Sequence, residues 1–127
     1  MKTTDTVSIQ IPIKPEFVSI ARLTASGVAH RSGFDIDTIE DIKVALSEVL
    51  AKIIEKRTSS GRVSMDFLCT EQGLSINIKL LNDSLPALFS DEEDKLALSI
   101  ISSLMDSFQV EADNAEITMV KNFGKAV

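Results

Sequence analysis

Within SEVLAKIIEK, Ser47 to Lys56, Glu48 and Lys52 stand four residues apart, a carboxylate and an ammonium on one helical face. A carboxylate so placed can take a proton as a general base, and an ammonium can neutralise a phosphate. The plainer reading is a surface ion pair, with Glu before Lys in the favourable order, worth about 0.2–0.5 kcal/mol. His30 is the one histidine; nothing near it in sequence resembles a triad partner, and it is expected to be exposed near a helix end. The acidic run DEED, Asp91 to Asp94, falls at a helix start, where negative charge suits the helix dipole, so it reads as capping rather than metal binding. Neither of the familiar glycine-rich phosphate loops occurs.

Arg22 shares a helix face with Val18, Ala25 and Ala29, whereas Phe17, Ile20, Ala21, Thr24 and Val28 form the stripe expected to face the core. A helix apolar on two sides, with one arginine in the second stripe, reads as a core face plus a contact face, since interfaces favour arginine. The bland alternative is one long arginine shielding exposed apolar surface.

The elements that must hold these residues are legible from periodicity. Val7, Ile9, Ile11 and Ile13 alternate with polar residues in a strand that Pro12 confines to an edge or to its own end. A helix follows from Pro15 to a stop at Gly33, with Gly27 a costly interruption unless a neighbour packs closely there. Asp37 and Glu40 suggest a capping box for a second helix running to about Arg57, with Ile39, Ile42, Leu46, Val49, Leu50 and Ile53 inward. Val63 to Cys69 and Leu74 to Leu80 alternate around TEQG as a hairpin. A polar loop leads to a third helix, boxed by Ser90 and Glu93, with Ala97, Ile100, Ile101, Leu104 and Phe108 inward. A last strand contains Ile117 and Met119. The order β-α-α-β-β-α-β, with one apolar face per strand, predicts an α/β two-layer sandwich, its antiparallel or mixed sheet covered by helices on one face.

The 127 residues fit one domain, 1–127, and 44% apolar content supplies a core. A net charge of −6 without clustered Lys or Arg argues against a nucleic-acid surface. One Cys and one His make a structural zinc site untenable, and the lone Cys69 fits a reducing compartment. With no membrane-length apolar run and no signal-peptide core in MKTTDTVSIQIPI, a cytoplasmic protein is expected.

As a set, IPIKPEFVSIARLTASGVAHRSGF, IEDIKVALSEVLAKII and LSIISSLMDSFQV resemble the bacterial anti-sigma factor serine protein kinases, which belong to the histidine-kinase-like ATPase superfamily of Bergerat fold. The likeness spans Val7 to Phe123, and ARLTASG and SLMD are fairly specific to the anti-sigma branch. It implies that Glu48 stands where a glutamate acts as general base toward a serine of an antagonist protein. Lys52 stands where an asparagine holds magnesium, yet an ammonium has no acceptor oxygen for the metal. The adenine-reading Asp-x-Gly falls on Leu80, Leu81 and Asn82, with Asn82 or Asp83 able to slide into the role only by breaking the strand's alternation. The Gly-x-Gly of the helix after the ATP lid falls on Lys95 and Ala97, where side chains crowd a phosphate. The lid loop, Asn82 to Lys95, is short and contains no glycine.

The resemblance therefore implies a sigma-factor or anti-anti-sigma-binding regulator, usually homodimeric. Its ATP site would be degenerate, Glu48 a vestigial base, no cofactor would be expected, and Arg22 would be the contact arginine. One alternative is an active serine/threonine kinase using ATP and magnesium. Another is a repurposed dimeric scaffold or small-molecule sensor.

Overall fold

Alternating apolar residues build strands, and five of them form one antiparallel sheet in the order β1-β2-β3-β5-β4. The computed structural model describes residues 5–57, 61–81, 88–89 and 91–124. β1 (Asp5–Pro12) is an edge strand, as Pro12 requires, and pairs with β2 (Arg62–Cys69), which pairs in turn with β3 (Gly73–Leu81). At the start of β3 the backbone of Lys121 comes so close that a Cβ on Gly73 would lie 2.1 Å from its carbonyl oxygen. Only glycine, here at φ 151, lets the strands pair at that point.

Three helices cover one face: α1 (Val18–Ser32), α2 (Ile36–Lys56) and α3 (Glu92–Leu104). Val63, Met65 and Phe67 of β2 and Ile76 and Ile78 of β3 join Ile42, Leu46 and Ile53 of α2 in one apolar core. The opposite face carries Ser64, Asp66, Asn77 and Lys79, the pattern of an antiparallel sheet with one wet side.

Three local expectations are corrected. The N-cap of α2 is Asp35, which accepts from the Thr38 amide at 2.8 Å, so the Asp37–Glu40 box does not form the cap. The box of α3 joins Asp91 and Asp94 rather than Ser90 and Glu93; Ser90 lies outside the described residues. α3 ends at Leu104, and Phe108 lies on an additional strand, β4 (Ser107–Glu111), paired with β5 (Glu116–Asn122). A helical spacing at Leu104 and Phe108 also satisfies a short helix-to-strand turn, so periodicity alone merges them.

The stripes of α1 are rotated from expectation. Ala25 and Ala29, read as contact residues, are fully buried beside Ala21 and Val28, while Ile20 and Leu23 are exposed. Alanines four apart leave little side chain between helix and core, so the small-residue row is the one that can sit closest. Gly27 has no close neighbour; a Cβ there would meet open space.

Candidate functional site

The last two turns of α2 bring Lys52 and Lys56 to the start of α3, with Glu55 beside Lys52 and Glu48 one turn earlier on the helix. Asp91 caps α3 by accepting from the Asp94 amide, and the Asp94 carboxylate returns to the Asp91 amide at 3.1 Å. That reciprocal bond turns the Asp94 side chain back toward α2. There Lys52 Nζ donates to its Oδ1 at 2.7 Å and Lys56 Nζ donates to its Oδ2. Lys52 also reaches Glu55, and Lys56 reaches Asp91, each at 3.3 Å.

At 1% exposure, Asp94 is the one buried charged side chain among the described residues. A buried carboxylate is costly unless its oxygens are met, and here each is met by an ammonium. The hydrogen bonds from Lys52 and then Lys56 hold the Asp94 carboxyl well below the usual carboxylate range, against the opposing effect of desolvation. Reciprocally, Asp94 raises both lysines above the ordinary ammonium range, again against desolvation.

The expected Glu48–Lys52 pair does not form. Lys52 turns to Asp94 and Glu55, and half-buried Glu48 has no hydrogen-bond or ion-pair partner among the described residues. Leu80 is buried in the core at 3% exposure, and Ala97 is buried on α3. Lys95 points to solvent and pairs with Glu92 at 2.9 Å. Asn82 and Asp83 lie outside the described residues. The sequence reading missed Lys56 and Asp94 as site members. The available signals were the i,i+4 spacing of Lys52 and Lys56 and an Asp at both ends of DEED, the pattern of a self-capping start.

Arg22 occupies a different place. It is exposed, without a hydrogen bond or ion pair among the described residues, and lines an open cavity of about 410 Å³ with Pro15, Val18, Ser47, Ala51, Ile54 and Glu55. Of the four expected contact residues, the fold thus brings Arg22 and Val18 to one groove and takes Ala25 and Ala29 into the core. Glu55 belongs both to this groove and to the Lys52 cluster.

Comparison with known proteins gives a consistent picture. The family described as histidine kinase-like ATPase domain matches residues 11–121. The chain is similar to the serine-protein kinase RsbW of Halalkalibacterium halodurans, 29% identical, with 94% of this chain and 83% of that protein covered. It is 32% identical to the RsbW of Bacillus pumilus, with 96% and 88% covered. A crystal structure of RsbU and RsbW domains from Mycobacterium tuberculosis shares the fold, with a TM-score of 0.66 at 13% identity. The alignment covers 96% of this chain and 34% of that one.

Proposed function

The chain belongs to the histidine kinase-like ATPase domain family, and we propose that it is an anti-sigma-factor-like regulator acting by protein–protein binding, with ATP binding and kinase activity lost or impaired. The observation that carries this reading is the commitment of Lys52 to Asp94 at 2.7 Å. Lys52 stands where the resemblance places a magnesium-holding asparagine, and its ammonium offers the metal no lone pair. Leu80, buried and apolar, stands where the resemblance implies a carboxylate that reads adenine. The described residues at these positions do not fit a magnesium nucleotide, and we derive no catalytic step through one.

The Arg22 groove supports the binding half of the reading. An arginine without a partner among the described residues, beside an apolar floor, suits a protein segment that brings one carboxylate and a few apolar side chains. A sigma factor, an anti-anti-sigma antagonist or both would be the partner, and the protein would act as a homodimer.

Retention of a sigma factor or antagonist from the host on the immobilised protein, without added nucleotide, tests the proposal. Retention that weakens with Arg22→Ala is expected. If neither class is retained, the reading falls.

One observation favours a second reading. Glu48 is half-buried and unpartnered among the described residues, which leaves its carboxylate able to accept a substrate proton, and the similar proteins are named serine-protein kinases. An active kinase would transfer phosphate from Mg-ATP to a serine of the antagonist, and Glu48→Ala would abolish that transfer.

A further inference from the structure

We infer that Lys52, Lys56 and the Asp91 amide form an oxyanion-binding site that the chain fills with its own Asp94 carboxylate, excluding free phosphate-type anions. The inference deepens the proposed function, on which it rests for the meaning of the site, by naming what takes the place of an external anion. Its physical grounds are local. One ammonium meets each carboxylate oxygen, and a backbone N–H adds a third donor. Three donors from three residues converge on a single carboxylate at 1% exposure. That is the donor set a phosphate or carboxylate ligand requires, with the ligand here supplied by residue 94.

The geometry also explains why the occupant persists. Asp94 is tethered three residues from the amide it accepts, so its effective concentration at the site is set by one helical turn rather than by solution. A free anion must displace it and leave Asp94 charged, buried and unpaired, which disfavours exchange. The other carboxylates at the cluster, Glu55 and Asp91, are largely exposed and stand at 3.3 Å, so they accompany the lysines without enclosing the site.

Truncating Asp94 should empty the site while keeping its donors. In thermal melting, Asp94→Ala should lower the transition by several degrees. Formate or inorganic phosphate should then recover at least half of that loss, while chloride at matched ionic strength recovers none. Each recovery is counted beyond the wild type's own response to the same salt, since an excluded anion such as phosphate strengthens burial in any fold. Adding Lys56→Gln to Asp94→Ala should remove the recovery. A variant that folds only with formate or phosphate supports the inference equally. It is overturned if formate and phosphate act on Asp94→Ala no differently from chloride, including the case where the variant stays unfolded in all three. Saturable phosphate binding by the wild type at Lys52 and Lys56 overturns it as well. If the wild type takes no Mg-ATP and Asp94→Ala is not rescued, only this inference fails, and the proposed function stands.

Discussion

Lys52 shows how residue type limits what a position can do. An amide oxygen can bind a cation; an ammonium can only donate, and here it donates to Asp94 and Glu55. If the proposed loss of nucleotide binding holds, Lys52→Asn alone should not confer phosphotransfer, because Leu80 stays buried and apolar. Phosphorylation of a serine antagonist with labelled ATP checks this, and a single-site gain of activity would show that Lys52 was the only obstacle. The same cluster sets a pH dependence. Asp94 has a lowered pKa in the fold, so its stabilisation is complete above its unfolded value of about 4 and is lost as pH falls from there toward the folded value. The lysines are raised, so theirs is complete below about 10.4 and is lost as pH rises through the folded values. The difference in melting temperature between wild type and Lys56→Gln should therefore hold steady from about pH 5 to 9 and shrink in acid. A difference that changed steeply near neutrality would mean that a different group governs the cluster. Arg22→Ala should change stability by no more than about 0.5 kcal/mol, as at other exposed sites. If its guanidinium is buried against a partner's carboxylate, the substitution should cost about 2–5 kcal/mol of binding, roughly 30-fold to several thousand-fold in affinity. Melting curves and titration on the same preparations separate the two. A large drop in melting would make Arg22 structural.

At the scale of elements, what was legible followed from strong periodicity. β1, the β2–β3 hairpin and α2 each carry one unambiguous apolar face, and each appears where that face requires it. α1 is different: of the stripe expected inward, Ala21 and Val28 are buried but Ile20 is exposed, while Ala25 and Ala29 of the expected contact face are buried instead. Close packing turns the helix, because the row Ala21, Ala25 and Ala29 lets it approach and leaves Leu23 71% exposed. The Lys52–Asp94–Lys56 cluster was illegible for another reason. Its members are 42 and 38 residues apart in sequence, and only the docking of α3 on α2 joins them. Gly27 was read as a cost that close packing could justify, yet a Cβ there would meet nothing. Gly27→Ala should then stabilise the protein by about 0.5–1 kcal/mol through helix propensity, read from denaturant melts. A destabilised variant would mean that the open space beside α1 is occupied in solution.

At the scale of the whole molecule, one fold can combine a partner-binding groove with a charged cluster elsewhere on α2. The Arg22 groove lies between α1 and α2, and the Lys52–Asp94–Lys56 cluster joins α2 to α3; Glu55 touches both. A chain that keeps the first and fills the second with its own side chains would bind partners without a nucleotide cycle. Calorimetric titration of Mg-ATP into the purified protein tests that claim most directly. No saturable heat is expected up to millimolar nucleotide, in the same preparation that retains its protein partner. A dissociation constant in the micromolar range would contradict it and return Glu48 to the role of an active base.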